Sequence, residues 1–532
     1  MSGSRKWSWH AWSLAAWNRH LPEVSDHDAF VTQLGESTIH NIAHRTASAR
    51  PNRPAINIGG AALTHRELDE KASRAAGWLA NNVPPGGRVL IAGPPSFDWI
   101  ACYLGTLRAG GVAVLANPAY TTAELDELVG ASGATVAIGW GDSTRRLAEI
   151  ASRQRLVMVT DEPGMGVGLP EVFAGMADSV MDRSGSDSTA VLAFTSGTTG
   201  RPKGVPLTHR NLLTSIRVAM AAWRWSPDEV LVHALPLFHQ HGLGGLHGTL
   251  IAGSTMHLLP HFTPSGLLRT VVESRATTLF AVPTMYQRMA GVDGSATGNH
   301  LRLAVSGSAP LNEDVAAGAA RLLGKVPLVR YGTTESGLDT SHVYADAREL
   351  GLSNTIGLPL PGLEVRLIDE IGGEAGPDGE GEIQVRGPQV FGGYWMDLEA
   401  TTAAFAPGVW FRTGDIGRLD QASGHLVIRG RSKEVIITGG LNVYPREVEI
   451  ALEKHPGVAE AAVAGIPDAV WGEQVTAWVV LSPGHSLNAG EILEHAHTLL
   501  AAFKCPKQIY SLEVLPRNAA GKIDRRKLLA SG

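Results

Sequence analysis

Short apolar runs alternate with amphipathic stretches along most of the first two thirds of the chain. "RVLIAG" (88–93) and "GVAVLAN" (111–117) have the continuous apolar character of buried strands, and "DWIACYLGTLRAG" (98–110) between them is typical of a helix ended by glycine. Strands that alternate with helices predict a parallel sheet covered on both faces. The pattern restarts at "STAVLAFTSG" (188–197) and runs through "VPLVRYG" (326–332), which predicts a second doubly wound sheet.

The character of the sequence changes twice in the remaining third. From about 355 to 430, short alternating segments such as "GEIQVRG" are separated by Gly, Pro and Asp turns, which indicates a small β-barrel. After residue 440 the pattern is that of a compact α+β unit. The predicted fold class is therefore α/β, with a large N-terminal domain (1–430) of two doubly wound sheets plus a small β-barrel, and a mobile α+β C-terminal domain (434–532). The short charged connection near residue 430 predicts a hinge between the two domains.

Charge and cysteine content exclude several classes of protein. Lys plus Arg number 45 and Asp plus Glu 51, for a net charge of −6 without a basic stripe, so nucleic acid is not an expected partner. The two cysteines, Cys102 and Cys505, are far apart, which excludes a disulfide scaffold and a zinc ribbon and fits a cytoplasmic protein. No run of 18 apolar residues is present, so no membrane span is expected.

The N-terminal segment is rich in tryptophan, with Trp7, Trp9, Trp12 and Trp17 within eleven residues. It lacks the leucine-rich stretch and the cleavage site of a signal peptide. The favoured interpretation is a segment whose indoles dock on the main body of the protein. A membrane-surface anchor is the alternative.

The segment "AFTSGTTGRPKGVPLTHRN" (193–211) combines glycines, hydroxyls and a lysine directly after an apolar strand. Glycines allow a tight turn whose amide N–H groups point outward and bind anions. Hydroxyl donors and a cation added to such a turn suit a polyphosphate, and the residues concerned are Thr195, Ser196, Gly197, Thr198, Thr199, Gly200 and Lys203. A P-loop is excluded because its lysine is preceded by glycine and followed by Ser or Thr, whereas this lysine lies between Pro202 and Gly204. A solvent-exposed Ser/Gly loop is the alternative.

This loop resembles the signature loop of the adenylate-forming superfamily, which includes acyl-CoA synthetases, carrier-loading adenylation domains and luciferases. Four further segments occur in the order and spacing of that superfamily: "YGTTE" (331–335), "TGD" (413–415), "GRSKEVIITGGLNVYPREVE" (430–449) and "PRNAAGKIDRRKL" (516–528). The resemblance extends over about residues 35 to 530.

The resemblance implies an enzyme that joins a carboxylic acid to the α-phosphate of ATP and then lets a thiol, that of CoA or of a carrier protein, attack the acyl-adenylate. It implies that the 195–204 loop holds the β- and γ-phosphates. The other roles that it implies are adenine binding by Tyr331 with Gly307, Ser308, Ala309, Gly332 and Thr333, α-phosphate binding by Thr334, Mg²⁺ binding by Glu335 and Thr195, and ribose binding by Asp415 with Arg431.

The resemblance also assigns roles in the C-terminal region. Lys522 matches the lysine that acts in adenylation, although it lies in a basic terminus and an ordinary surface lysine is the alternative. Lys433 matches the pivot about which the C-terminal domain rotates between the two half-reactions. Gly439, Gly440 and Leu441 match the residues along the path of the CoA pantetheine.

Two segments concern the binding site of the carboxylic acid substrate. "LPLFHQHGL" (235–243) resembles the gate of the acyl pocket, where His239 would orient the carboxylate, with a packed histidine as the alternative. "AVPTMYQRMA" (281–290) resembles malonyl-CoA synthetases, in which an arginine matching Arg288 pairs with the distal carboxylate, with a solvent-facing arginine as the alternative. Ser306 is assigned to the same acid site.

The predicted function is therefore that of an AMP-forming carboxylate–CoA ligase with malonate or methylmalonate as its acid. A medium-chain, aromatic or specialised-metabolite acid is the alternative substrate. A standalone enzyme that loads a carrier protein, and a binding protein without catalysis, are the alternative functions.

Overall fold

The computed structural model of the chain describes residues 7–174, 183–195, 202–292, 300–345, 354–438, 441–468, 471–517 and 522–529. Statements below about the fold refer to these residues. Ser196 lies outside the described residues. So do the four predicted phosphate-loop residues that follow it, namely Gly197, Thr198, Thr199 and Gly200. Gly439 and Gly440 also lie outside them.

The first part of the chain forms the alternating strands and helices that the sequence predicts. Its elements, in chain order, are α1 (Trp9–His20), α2 (His27–Gly35), α3 (Ile39–Ala49), β1 (Pro54–Ile58), β2 (Ala61–Thr64), α4 (His65–Asn82), β3 (Arg88–Ala92), α5 (Phe97–Arg108), β4 (Val112–Ala116), α6 (Thr122–Ser132), β5 (Val136–Gly139), α7 (Asp142–Gln154), β6 (Val157–Thr160), β7 (Val167–Gly168) and α8 (Leu169–Ala174). Helix α6 begins with Thr121 as its N-cap, and a capping box with Glu124 fixes this end.

The middle part continues the alternation. Its elements are β8 (Thr189–Thr195), β9 (Lys203–Thr208), α9 (His209–Ala222), β10 (Val230–His233), α10 (Gln240–Ala252), β11 (Thr255–Leu258), α11 (Pro264–Glu273), β12 (Thr278–Ala281), α12 (Pro283–Ala290), β13 (Leu303–Ser306), α13 (Glu313–Leu323), β14 (Leu328–Tyr331), β15 (Thr340–Ser341) and β16 (Leu358–Pro359).

Two large sheets organise these elements. The first has the order β7-β6-β5-β3-β4-β8-β9, and the second has the order β16-β15-β14-β13-β12-β10-β11-β1-β2. The core strands pair in parallel, and every residue of β4 is buried, which explains its wholly apolar sequence. In the second sheet, β10 pairs with both β11 and β12, so the strand order reverses direction there. The carboxyl ends of strands at such a reversal form a crevice that commonly binds ligands.

The last part contains the β-rich segment and the α+β segment. Its elements are β17 (Glu364–Ile368), β18 (Glu380–Arg386), α14 (Leu398–Ala404), β19 (Phe405–Ala406), β20 (Trp410–Leu419), β21 (Leu426–Arg431), a 3₁₀ helix (Ser432–Glu434), β22 (Ile436–Thr438), β23 (Leu441–Val443), α15 (Pro445–Glu453), β24 (Val458–Asp468), β25 (Gly472–Leu481), α16 (Ala489–Leu499), β26 (Gln508–Ser511) and α17 (Arg525–Leu529). Strands β17–β21 form one sheet and β22–β26 another.

The chain divides into two compact units. The first, called unit 1 below, contains residues 1–365 and 385–411, and the second, unit 2, contains residues 366–384 and 412–532. The core of the C-terminal sheet in unit 2 is formed by small and branched apolar side chains of β24, β25 and α15. The predicted domain boundary and hinge near Lys433 stay a prediction.

The tryptophan-rich segment docks within unit 1, as the favoured interpretation expects. The side chains of Trp9 and Trp17 are 2 % and 3 % exposed, and the indole Nε1 of Trp17 donates a hydrogen bond to the carbonyl of Leu363 at 3.2 Å. Trp7 stays partly exposed at the start of the described chain. Among the described helices, none has both the length and the apolar character needed to cross a membrane.

Candidate active site

Strands β8 and β9 form the base of the predicted phosphate loop. They pair antiparallel, with Thr195 opposite Lys203, so the described residues on either side of the predicted loop lie next to each other. The Lys203 ammonium lies 4.9 Å from the centre of the Tyr394 ring, and the amide of Trp395 donates to the carbonyl of Gly204 at 2.8 Å. An aromatic pair that is distant in sequence thus braces the base of the loop.

The segment 331–339 that follows β14 is a tight, internally bonded turn. The Thr333 and Ser336 hydroxyls lie 2.8 Å apart, and Ser336 Oγ donates to the Asp339 carboxylate at 2.6 Å. A Cβ at Gly332 would lie 1.9 Å from the carbonyl oxygen of Gly337, so only glycine fits there. This packing fixes where Thr334 and Glu335 leave the sheet edge.

Glu335 is a half-buried carboxylate held from one side. Its Oε1 accepts a hydrogen bond from the Tyr394 hydroxyl at 3.0 Å, and its backbone carbonyl accepts from the amide of Phe391 at 2.8 Å. Burial, and then the carboxylate of Glu335, raise the pKa of Tyr394, so this phenol stays protonated and keeps donating. Tyr394 therefore joins Lys203 and Glu335 into one assembly.

The donor chemistry at Glu335 fits a magnesium ion. Mg²⁺ prefers oxygen ligands and is commonly held by one or two carboxylates together with the phosphates of a substrate. Glu335 supplies such a carboxylate and Thr195 a hydroxyl, whereas groups of three or more His, Cys, Asp or Glu able to hold a metal are absent from the described part of the chain. The residues thus suit an ion that is carried with the phosphates of a nucleotide.

The residues after β13 form a second edge of the same crevice. Ser306 is buried, while Ser308 and Ala309 are exposed and Ser308 has a φ of 70°, a conformation that non-glycine residues rarely adopt. A Cβ at Gly307 would lie 2.7 Å from Nε of Arg330 and 3.2 Å from Cε1 of His241. Glycine at this position therefore leaves room for both of these side chains.

Two small adjoining cavities open at the start of α10. One of about 20 Å³ is lined by His239 and Thr334, and both cavities share Gln240 and Leu243 as lining residues. Gln240 Nε2 donates to the carbonyl of Thr334 at 2.5 Å. His239 is exposed at the end of the helix with its ring 4.5 Å from that of Phe238, so it is not a packed core histidine.

The other cavity, of about 30 Å³, lies deeper among apolar walls that include Trp223, Phe280 and Leu338. Its polar lining includes His241 and Arg330, which are 7 % and 9 % exposed. Burial, followed by the charge of Arg330, holds the pKa of His241 well below its ordinary value, so the imidazole is neutral near pH 7.

Arg288, the residue that the resemblance assigns to the distal carboxylate, lies elsewhere. It is exposed on α12, and its guanidinium lies 4.9 Å from the centre of the Phe262 ring. Neither of the two cavities has Arg288 in its lining. The structure therefore brings together His239, Thr334 and Glu335 but leaves Arg288 outside the cavities.

In unit 2, Asp415 and Arg431 face each other across the β20–β21 pair. Asp415 is 4 % exposed, and its Oδ1 lies 3.1 Å from Nε of Arg431. Gly414 has a φ of 73°, and the Thr413 hydroxyl accepts from the amide of Asp415 at 3.1 Å, which fixes the turn. This arrangement presents a nearly buried carboxylate beside an exposed guanidinium, as ribose binding would require.

The other unit 2 residues with predicted roles are exposed. Lys433 lies in the 3₁₀ helix (Ser432–Glu434), Leu441 begins β23 and is 48 % exposed, and Lys522 directly precedes Ile523, which bridges to Arg517. Their roles stay predictions.

Sequence reasoning did not find Tyr394, Gln240 or Arg330. Tyr394 follows two glycines in "FGGYW", and this combination is the only local signal for it. Gln240 and Arg330 lie within segments that were singled out for their neighbours, His239 and Tyr331. Their importance comes from contacts with distant parts of the chain.

Comparison with known proteins identifies relatives of the chain over most of its length. A family model described as AMP-binding enzyme matches residues 43–395, and one described as AMP-binding enzyme C-terminal domain matches residues 447–522. A feruloyl-CoA synthase of Amycolatopsis sp is 36 % identical over 90 % of this chain and 96 % of its own length. The mitochondrial malonate–CoA ligase ACSF3 of Mus musculus is 35 % identical over 81 % of this chain and 79 % of its own. The crystal structure of ATP-bound MatB from Rhodopseudomonas palustris superposes with a TM-score of 0.86 at 36 % identity, covering 92 % of this chain and 98 % of that one.

Proposed function

The chain belongs to the AMP-binding enzyme family and is an acid–CoA ligase that works through an acyl-adenylate, and from this premise we propose that its acid is a small dicarboxylate such as malonate or methylmalonate. The observation that carries the proposal is the pair of small adjoining cavities at the start of α10, one lined by Thr334 and the other with a buried cation in its wall. Two free, buried cysteines support a reducing compartment such as the cytoplasm.

In the first half-reaction, a carboxylate oxygen of the acid attacks the α-phosphorus of ATP. A new O–P bond forms, the bond from the α-phosphorus to the bridging oxygen breaks, and pyrophosphate leaves with that electron pair. The chain acts mainly by positioning and charge neutralisation. We propose that Lys203 and the other residues of the 195–204 loop hold the outer phosphates, Thr334 the α-phosphate, and His239 the carboxylate.

A magnesium ion bound with the nucleotide would neutralise phosphate charge, and Glu335 and Thr195 are the residues proposed to hold it. The hydrogen bond from Tyr394 keeps the Glu335 carboxylate in one orientation. Asp415 with Arg431 is proposed to bind the ribose, and Tyr331 with the backbone of 307–309 the adenine. Each of these groups would be in place before the reaction begins. The protein would therefore need little rearrangement to stabilise the transition state.

In the second half-reaction, the thiol sulfur of CoA attacks the acyl carbon of the adenylate. A C–S bond forms, the C–O bond to AMP breaks, AMP leaves with that electron pair, and the thiol proton passes to solvent. We propose that the residues around Leu441 line the approach of the pantetheine.

A proline at position 433 tests the proposed hinge. Proline fixes φ near −65°, so Lys433→Pro is expected to retain adenylation within about threefold and to slow thioester formation at least tenfold. Pyrophosphate exchange measures the first step and thioester formation from added acyl-adenylate the second. Lys433→Ala, which keeps the backbone free, serves as the control. Full CoA-ligase turnover in the proline variant would contradict a hinge at this residue.

The proposed substrate is tested by a pyrophosphate-release screen with Mg-ATP and CoA. We expect malonate or methylmalonate to exceed propionate by about tenfold or more in kcat/KM, about 1.4 kcal/mol in transition-state binding. Activity with a carrier protein but not with CoA would instead identify a carrier-loading enzyme. Failure of every acid to release pyrophosphate would contradict a ligase.

A hydroxylated aromatic acid is the second candidate substrate. The feruloyl-CoA synthase relative and the Trp223 and Phe280 walls of the deeper cavity favour it. In the same screen, a preference for ferulate over malonate would replace the dicarboxylate proposal and leave the ligase reaction intact.

A further inference from the structure

We propose that Arg330, rather than Arg288, is the specificity-determining residue that binds the second carboxylate of the acid, with His241 as a hydrogen-bond donor beside it. This inference rests on the proposed ligase function and names the residue that selects its substrate. Arg330 lies in β14, directly before Tyr331.

Arg330 is a buried cation without an ion-pair partner in the part of the chain that the structure describes. It is 9 % exposed, its Nε has no hydrogen-bond partner there, and only the longer-range field of Asp339 acts on it favourably. Burial lowers the pKa of Arg330 to about 10, which still leaves it protonated near neutral pH. A buried, unpaired charge is strongly unfavourable, so an anionic ligand group at this position would compensate it.

His241 supplies a second unsatisfied group at the same place. Its Nδ1 lies 3.3 Å from the Ser308 hydroxyl, while its Nε2 has no partner among the described residues. If the Ser308 hydroxyl donates to Nδ1, the neutral imidazole carries its proton on Nε2 and can donate it to a ligand. Gly307 has no side chain to separate this ring from the Arg330 guanidinium. The two groups together form a charged and a neutral donor for one carboxylate.

The position of the cavities connects this donor pair to the reacting carboxylate. The cavity beside Thr334 and His239 shares Gln240 and Leu243 with the deeper cavity that Arg330 lines. An acid whose first carboxylate lies at His239 would therefore extend past Gln240 toward Arg330. Cavity volumes of about 20 and 30 Å³ leave room for only a few atoms without movement of the walls, which favours a short dicarboxylate over an extended chain.

The test compares malonate with propionate, which has the same carbon count but no second carboxylate. In Arg330→Met we expect the ratio of kcat/KM for malonate to that for propionate to fall about 10- to 100-fold, as expected for loss of a charge-assisted hydrogen bond. Arg330→Lys keeps the charge and is expected to retain part of the preference. A purely structural role would lower both acids together and leave the ratio unchanged, which would overturn the proposal.

Arg217→Met is the matched control, because Arg217 is a partly buried arginine of α9 that donates to the carbonyl of Leu34 at 2.7 Å, outside the lining of both cavities. Its malonate-to-propionate ratio should stay within about twofold of the wild-type ratio. Thermal unfolding of each variant with and without malonate gives a second readout, in which only loss of Arg330 should remove stabilisation by malonate.

The outcomes separate the two proposals. Loss of the preference in Arg288→Met but not in Arg330→Met would overturn this inference and restore the residue that the resemblance indicates. A wild-type enzyme that activates acids without preferring the dicarboxylate would also overturn it while the ligase function stands. Only the absence of pyrophosphate release with all acids would remove the function on which it rests.

Discussion

Replacing Lys522 with alanine is expected to slow adenylation by about a thousandfold while largely sparing thiol attack on a supplied acyl-adenylate. The loss of one preorganised donor to a developing charge costs about 10²- to 10³-fold, and a full cation bridging the carboxylate and α-phosphate lies at the upper end. Lys522 is exposed and directly precedes Ile523, which forms an antiparallel bridge with Arg517 in unit 2. An exposed lysine at this position is free of a core role, so its removal should leave folding intact.

Two assays on one variant separate the half-reactions. ATP–pyrophosphate exchange reports adenylation, and CoA thioester formation from synthetic acyl-adenylate reports the second step. Lys527→Ala is the matched control, because Lys527 is also an exposed lysine of the C-terminal segment and pairs only loosely with Asp524 at 3.7 Å. ATP–pyrophosphate exchange at a near-normal rate in Lys522→Ala would contradict a role of Lys522 in adenylation. It would identify Lys522 as an ordinary surface lysine.

Acidification from about pH 7.5 to about pH 5.5 is expected to destabilise unit 1 by roughly 4 to 6 kcal/mol. Burial lowers the pKa of His209 and of His247 to about 3 and that of His233 to about 4, and it holds the pKa of His241 well below the ordinary 6.5. In the unfolded chain all four bind protons below pH 6.5, whereas the folded chain does not. The contribution of these histidines to the free energy of unfolding is therefore fully present above pH 6.5. It is lost as the pH falls toward the pKa values of the folded state.

Hydrogen bonds add to burial, the main cause, in keeping two of these rings neutral. Nδ1 of His209 accepts from the amide of Ile39 at 3.2 Å, and a proton on that nitrogen would break this bond. Nε2 of His247 lies 2.8 Å from the hydroxyl of Tyr103, whose burial raises its own pKa and keeps it a donor.

Urea unfolding at several pH values measures this effect. His233→Gln should reduce the pH dependence by the share of one group, since it removes one of several histidines whose pKa is lowered by burial. Replacement of the exposed His261 should leave the slope unchanged. A free energy of unfolding that is constant between the two pH values would contradict neutral buried histidines.

The alternation of strands and helices could be predicted from the sequence, because each buried strand is recognisable from its own apolar residues. Every residue of β4 and β5 is buried, so each reads as an uninterrupted apolar run. The antiparallel pairing of β9 beside β8 was not predictable in this way, because neighbouring strands are chosen by long-range packing. The sequence pattern fits either direction of pairing.

The site was predictable where its residues are contiguous in sequence. Thr334 and Glu335 stand in one five-residue motif, and the turn that holds them is bonded within itself. The Tyr394–Glu335 bond joins residues 59 positions apart, so no local pattern indicates it. Arg330 was overlooked because a charged residue within an apolar strand has no periodic signature, and only burial without a partner distinguishes it.

A substitution at Gly307 is expected to change which acids bind, although residue 307 need not contact the acid itself. Any side chain at this position must displace either the guanidinium or the imidazole that meet over it. A single methyl group there would therefore displace one of these two side chains, both of which line the deeper cavity. If the deeper cavity holds the tail of the acid, substitution of Gly307 is a route to a changed acid preference. The residues proposed to bind the phosphates would then stay the same.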